Sequence, residues 1–192
     1  MNTVHNIFIT VIIPTYNLGE LLEECVISLT TQSLPNNLFE IIIIDDCSTD
    51  NTKEIALYCK KYARNIIIKK TTTNLGPGAA RNIGINFAKG DYILFLDGDD
   101  ILPNYALSTL YKEITTNSFD AYGYNWTWLV MKDNETSNRC NSYIPMRRDL
   151  EIMEKTKDSL MRKFIGMGMD GSVIYTLVKR SLIIDNNIVF QG

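Results

Sequence analysis

Three carboxylates stand within four positions at Asp97, Asp99 and Asp100, directly after the apolar run Tyr92 to Leu96. Like charges this close repel, which raises their pKa values and lowers stability unless a cation or hydrogen bonds compensate. On an extended segment Asp97 and Asp99, two apart, project to the same side, so their oxygens can converge on one hard cation such as Mg²⁺ or Mn²⁺. A bound ion of that kind offsets the repulsion and bridges the oxygens of a diphosphate. The plainer reading is an exposed Asp-Gly turn, because that dipeptide favours tight turns.

Other stretches offer complementary chemistry. In "DDCSTD" (45–50) Asp46 could accept a hydrogen bond from a base N–H, and Tyr16 in "PTYN" (14–17) could stack on that base. Alternatively, Asp45 or Asp46 starts an Asx turn or caps the next helix, the role that suits Asp50 best. Arg81 in "TTTNLGPGAARN" (71–82) falls on the first turns of a helix, whose N-terminus favours anions, so it could clamp a phosphate. A solvated helix arginine is the simpler alternative. "GPGAAR" starts like a dinucleotide-binding GxGxxG, but Arg81 replaces the third glycine and the turn follows the third strand, which argues against an NAD site. No GxxxxGK[ST] occurs, excluding a P-loop, and the only histidine is His5, so histidine-based nucleophilic catalysis lacks a base within the chain.

Positioning these groups requires strands. "FITVIIP" (8–14) and "FEIIIID" (39–45) are continuous β-branched runs, the pattern of parallel strands covered on both faces. Between them Leu18, Leu21, Leu22, Cys25, Val26 and Leu29 recur at helical spacing. "STDNTKEIALYCKKYA" predicts a second helix, "NIIIKK" a third strand, "GPGAARNIGINFAKG" a third helix and "DYILFL" a fourth strand. This alternation implies an α/β fold with a Rossmann-like, doubly wound, mostly parallel sheet flanked by helices. Ligands in such sheets bind outside the carboxyl ends of the strands, where all four polar stretches fall. Together they suit a nucleoside diphosphate held with a divalent cation.

Further along, "PNYALSTLYKEITTN" predicts a helix burying Leu107, Leu110, Tyr111 and Ile114, and "DAYGYNWTWLVM" a strand with Tyr122, Tyr124, Trp126 and Trp128 on one face. Those aromatics could stack on sugar rings, although core packing is the commoner use. "DLEIMEKTKDSLMRKFIG" reads as a charged amphipathic helix. With 192 residues, 45% hydrophobic and 21% charged, the chain has the composition of one globular domain or part of one. A net charge of −3 gives no nucleic-acid footprint, and no apolar run reaches the ~20 residues of a membrane helix. The four cysteines form no CxxC pair, so reduced core thiols are expected in a cytoplasmic protein.

"VIIPTYN", "IIIIDDCSTDNT", "NLGPGAARNIGI" and "GDYILFLDGDD", in this order and spacing over roughly residues 9 to 105, resemble the successive signatures of family 2 glycosyltransferases of the GT-A fold. The resemblance implies transfer of a sugar from a nucleotide donor, usually a UDP-sugar, with inversion and with Mg²⁺ or Mn²⁺ assisting. It implies that Pro14 and Tyr16 frame the base, that Asp46 binds it, and that Thr15 and Asn17 also belong to the substrate-binding set. Asn74, Gly76 and Arg81 then lie along the donor, Asp97 contacts ribose or sugar and shares the metal, and Asp99 ligates it. Cys47 stands where the family commonly has glycine. Residues 1–105 are thus expected to form the donor half, and 106–192 part of an acceptor-side half of the same domain. The catalytic base is expected beyond Gly192, with Asp170 as the only substitute inside the chain. The acceptor class implied is a glycan or lipid-linked glycan at the inner membrane face, approached peripherally. A nucleotide-sugar binding module without catalysis, or a nucleotidyltransferase using the same metal logic, is the competing reading.

Overall fold

The computed structural model describes residues 7–117, 120–123 and 176–191. Six strands form one sheet: β1 (Ile9–Thr15), β2 (Phe39–Asp45), β3 (Ile66–Lys70), β4 (Tyr92–Phe95), β5 (Ala121–Gly123) and β6 (Thr176–Lys179), in the order β3-β2-β1-β4-β6-β5. β1 to β4 run parallel, whereas β6 is antiparallel to both β4 and β5. The helices are α1 (Glu20–Thr30), α2 (Thr52–Lys60), α3 (Pro77–Phe87), α4 (Ala106–Asn117) and α5 (Arg180–Asp185).

The β-branched runs take their expected place because both faces of the central strands are covered. β1, β2 and β4 are buried along their whole length. Alternate residues divide between two cores, as the strand period requires. Ile9, Val11, Ile13, Ile41 and Ile43 pack with Leu22, Val26 and Leu29 of α1, Ala56 of α2 and Leu107, Leu110 and Ile114 of α4. Ile12, Ile42, Ile44, Ile93 and Phe95 pack on the other face with Ala80 and Ile85 of α3 and Ile183 of α5. Each fully buried large aliphatic side chain contributes about 1.5–3 kcal/mol relative to an exposed one. α3 lies so close to β1 that a Cβ at Gly84 would sit 2.4 Å from Ile12 Cγ2, so glycine is what permits the approach.

Buried polar groups lock the amino-terminal edge of the sheet. Thr10 Oγ1 donates to Glu40 Oε1 at 2.8 Å, the same oxygen accepts the Lys89 N–H at 2.7 Å, and Thr10 Oγ1 accepts the Gly90 N–H at 2.9 Å. Glu40 is thereby satisfied although it is 2% exposed, as a buried carboxylate must be.

The strand order reverses direction at β1, with β2 and β3 on one side and β4 on the other. The crevice outside the carboxyl ends of β1 and β4 is therefore the switch point of the fold. Its opening is written in the register. β1 and β4 stop pairing at Ile12 opposite Phe95, whereas β1 and β2 stay paired to Thr15 opposite Asp45. Pro14, two past Ile12, stands on the side of β1 that faces β4, so its missing N–H removes the donor that would continue the ladder, and the two strands part there.

The predicted helix over 103–117 begins at Ala106, and Tyr111 is only partly buried. Of the aromatic strand, Tyr122 is buried at 4% exposure in β5, while Tyr124, Trp126 and Trp128 lie outside the described residues, as does the charged helix expected over 149–166.

Candidate functional site

Beyond β1 the chain reaches Tyr16, 44% exposed, and Asn17, whose φ of 52° turns it back over the β2 end. Asn17 Oδ1 accepts the Thr49 N–H at 2.8 Å and its own N–H donates to Ser48 Oγ at 3.1 Å. The buried Thr52 hydroxyl accepts from the Leu18 and Gly19 N–H groups, both at 2.9 Å, which ties the start of α1 to the start of α2. Thus Tyr16 projects from a loop held by side chains of the neighbouring connection.

The two adjacent aspartates after β2 do different things. Asp45 Oδ1 accepts the N–H of Ser48, three residues on, at 2.8 Å, and Oδ2 lies 3.3 Å from Lys70 Nζ. Asp46, 3% exposed, points instead into the β3–α3 connection. It accepts the Thr71 hydroxyl at 2.8 Å, the Leu75 N–H at 3.0 Å and the Gly76 N–H at 2.7 Å. Gly76, at φ 84°, precedes Pro77 at the first position of α3, so Asp46 sets the entry to that helix. A base N–H would share an oxygen that this loop already uses. Asn74 Oδ1 also accepts the Gly76 N–H, at 3.1 Å. Asp50 Oδ1 accepts the Thr52 N–H at 3.0 Å, the turn role expected of it. Cys47 takes φ 65°, a left-handed conformation that glycine adopts more readily.

Arg81 and Asp97, read separately from the sequence, are partners: Arg81 Nη2 donates to Asp97 Oδ1 at 2.7 Å. The arginine side chain is 14% exposed and the aspartate 35%, so the pair opens toward the crevice from the carboxylate end. Arg81 Nε is buried and has no hydrogen-bond partner among the described residues.

The acidic segment corrects one expectation. It is not extended: Asp100 N–H donates to Asp97 O at 3.0 Å, closing a turn with Gly98 and Asp99 at its centre. β4 ends at Phe95 because the next β1 position that faces it, Pro14, has no N–H to carry the ladder on. The turn reading of Asp-Gly was therefore right about local geometry. Asp99 sits exposed at the turn and Asp100 is half-buried. Burial first, and then the charges of Asp99 and Asp97, push the Asp100 carboxyl up to about 6. Behind the turn, the buried Cys25 thiol donates to Asp97 O at 3.7 Å, and burial followed by the same three carboxylates raises its pKa.

Among the described residues no three His, Cys, Asp or Glu side chains gather as a metal cage. A cation shared with a diphosphate asks for less, because Mg²⁺-type ions are commonly held by one or two carboxylates plus phosphate oxygens and water. Asp99, exposed at the turn, and Asp97, with one oxygen beyond its bond to Arg81, supply hard oxygens of that kind. The residues fit such an ion.

Asp170 lies outside the described residues. A cavity of about 380 Å³, lined by Phe8, Tyr92, Ile114, Lys179 and Arg180, opens at the opposite, amino-terminal end of the strands, away from these groups. Among the described residues no helix is long and apolar enough to cross a membrane. The sequence reading missed Thr71 and Lys70, whose parts are visible only once β2 and β3 are aligned, Asp45 opposite Lys70.

A doubly wound sheet with a loop-gripping aspartate, a partly buried arginine and an acidic turn at its switch point is an α/β architecture of the GT-A kind. The chain belongs to glycosyl transferase family 2, whose model matches residues 10–174. Over 113 residues it is 43% identical to a poly(ribitol-phosphate) beta-glucosyltransferase of Bacillus spizizenii, which covers 58% of this chain but 18% of the relative. It superposes on Staphylococcus aureus TarS 1–349 in complex with UDP with a TM-score of 0.73 at 27% identity, covering 96% of this chain and 50% of that one. The mannosyltransferase PcManGT of Pyrobaculum calidifontis, in complex with GDP-Man and Mn²⁺, matches with a TM-score of 0.57 at 25% identity over 61% of this chain and 35% of that one. The chain thus spans about half the length of the solved TarS relative and less than a fifth of the curated glucosyltransferase.

Proposed function

We propose that this chain binds a nucleoside-diphosphate sugar, a UDP-sugar first, along the carboxyl edge of β1 to β4 and serves its transfer, with inversion, to an acceptor hydroxyl. The observation that supports the reading is the Arg81–Asp97 ion pair on the same sheet edge as the ends of β1 and β2, which carry exposed Tyr16 and the Asp46-held loop, and next to exposed Asp99. Solved TarS structures in complex with UDP and with UDP-GlcNAc support the choice of uridine donor. Relatives named for poly(ribitol-phosphate) make a polyol-phosphate polymer the acceptor class to try first, among glycan and lipid-linked acceptors.

In this reading Tyr16 lies against the base, with Pro14, Thr15 and Asn17 fixing its loop. Asp46 acts chiefly by holding Leu75 and Gly76, so that Asn74 and the start of α3 face the donor. Arg81 orients Asp97, whose outer oxygen meets the ribose or sugar, and Asp99 with Asp97 would hold Mg²⁺ or Mn²⁺. When bound, the ion neutralises charge building on the departing diphosphate. The acceptor oxygen attacks the anomeric carbon as the carbon–oxygen bond to the diphosphate breaks, and its proton passes to a base on the opposite face. No described residue is assigned as that base.

Calorimetry with UDP, GDP and their sugars, with and without Mn²⁺, tests the reading. The expected result is Mn²⁺-dependent binding of the uridine compounds, lost in Asp99→Ala. A folded sample that binds no nucleotide, or binds equally in Asp99→Ala, would sink it.

A further inference from the structure

The segment after α5 is bound to α3 in a way the donor reading leaves unassigned. The Asn82 side chain grips both backbone polar groups of Phe190: Nδ2–H donates to Phe190 O at 3.0 Å and Oδ1 accepts the Phe190 N–H at 2.9 Å. This two-point grip, across 108 residues of sequence, imitates one rung of a sheet. It sets the Phe190 ring edge-on to Phe95, centroids 5.0 Å apart at 77°. The same ring centroid lies 5.8 Å from the guanidinium carbon of Arg81, the residue before Asn82. Arg81 in turn holds Asp97 Oδ1 at 2.7 Å. The segment passes so near α3 that a Cβ at Gly78 would meet Gln191 O at 2.4 Å, a backbone contact that cannot swing aside.

We propose that Asn82 and Phe190 are positioning residues for the donor site: seating residues 188–191 on α3 restricts Arg81 to the rotamer that holds Asp97 toward the crevice. The inference rests on the donor reading given above. A free arginine side chain has about 2 kcal/mol of rotamer entropy to lose. A ring against one side of the guanidinium removes part of that freedom and excludes water, which strengthens the pair with Asp97. Asn82 touches neither Arg81 nor the donor crevice in its hydrogen bonds, so its influence runs through Phe190.

Two variants unseat the segment by different routes. Asn82→Ala removes both bonds, and Gly78→Ala, a helix-favouring change, pushes Gln191 away. UDP affinity in the presence of Mn²⁺ is measured for each in the full chain and again in an Asp97→Asn background. Both variants are expected to weaken UDP about tenfold in the parent and less than about twofold in Asp97→Asn, whereas Phe190→Tyr keeps parental affinity. Unchanged affinity, or equal weakening in both backgrounds, overturns the proposal, because a merely structural role adds regardless of Asp97. An unfolding cycle of Arg81→Met and Asp97→Asn gives a second, ligand-free readout. The factor by which the pair couples is expected to fall at least about threefold in Asn82→Ala, and an unchanged factor overturns the proposal. A parent chain that binds no UDP counts against the donor reading alone, and the coupling factor still decides this one.

Discussion

Replacing Asp46 with asparagine keeps the shape of the side chain and changes one oxygen to a donor. Asp46 is 3% exposed, and its two oxygens accept from Thr71 Oγ1, Leu75 N–H and Gly76 N–H at 2.7–3.0 Å. The Leu75 and Gly76 N–H groups only donate, whereas the Thr71 hydroxyl can also accept and turn its hydrogen to Thr73 O at 2.8 Å, so the new NH₂ faces Thr71 and the remaining oxygen keeps both N–H groups. What is lost is the charge on that acceptor. A hydrogen bond to a charged group contributes about 1.5–3 kcal/mol, against about 0.5–1.5 kcal/mol for a neutral one. Two bonds weakened by about 1 kcal/mol each leave an expected loss of about 2 kcal/mol, or roughly 4–8 °C in Tm for a chain of this size. Urea and thermal unfolding followed by circular dichroism read it, with Thr71→Val as a smaller companion of about 1 kcal/mol. An Asp46→Asn protein within about 0.5 kcal/mol of the parent would refute the claim that this carboxylate is the strut of the β3–α3 loop.

Packing and thiol chemistry give further tests. Gly84→Ala places a methyl 2.4 Å from Ile12 Cγ2, so overpacking of about 1–3 kcal/mol exceeds the gain of about 0.5–1 kcal/mol in helix propensity, and the urea midpoint falls. Thr52→Val removes the acceptor of two backbone N–H groups at a fully buried site and lowers stability by about 2 kcal/mol, read by the same unfolding curves. Cys59 is raised by burial first and then by Glu23, so its folded pKa exceeds the unfolded one. Its contribution to stability is whole below the ordinary thiol range and lost as pH rises through it. Urea midpoints at pH 7 and 10 therefore decline less in Cys59→Ala than in the parent. At pH 7.5 an alkylating reagent followed by peptide mass spectrometry marks half-exposed Cys47 well before buried Cys25 and Cys59.

The sheet was legible because its strands are unbroken β-branched runs and its helices repeat at 3.6 residues, patterns that burial on both faces dictates. Ile41 to Ile44 announce a central strand with no help from neighbours. The site was legible as a set of strand ends, since topology alone brings them to one edge. What the chain order hides is pairing across that edge. Arg81 and Asp97 were both candidates, yet nothing 16 positions apart in sequence announces a 2.7 Å ion pair. Asp46 was read as a ligand for a base or as a turn or cap residue, and the three donors that hold it come from a connection about 25–30 residues later, which no local pattern names. The acidic run was read as extended because its apolar half is a strand, but the ladder ends at Phe95 and the local preference of Asp-Gly for a turn prevails. Asn82 and Phe190 left no local signal at all, because a polar helix residue 108 positions away from its partner looks like solvent-facing surface.

The claim that the carboxyl edge of β1 to β4 is the donor site is tested most directly by amide hydrogen exchange with and without UDP and Mn²⁺. The account predicts slower exchange confined to residues 15–17, 72–82 and 97–100. Protection that falls instead around Phe8, Tyr92 and Arg180 at the opposite end of the strands, or no protection anywhere, would contradict it.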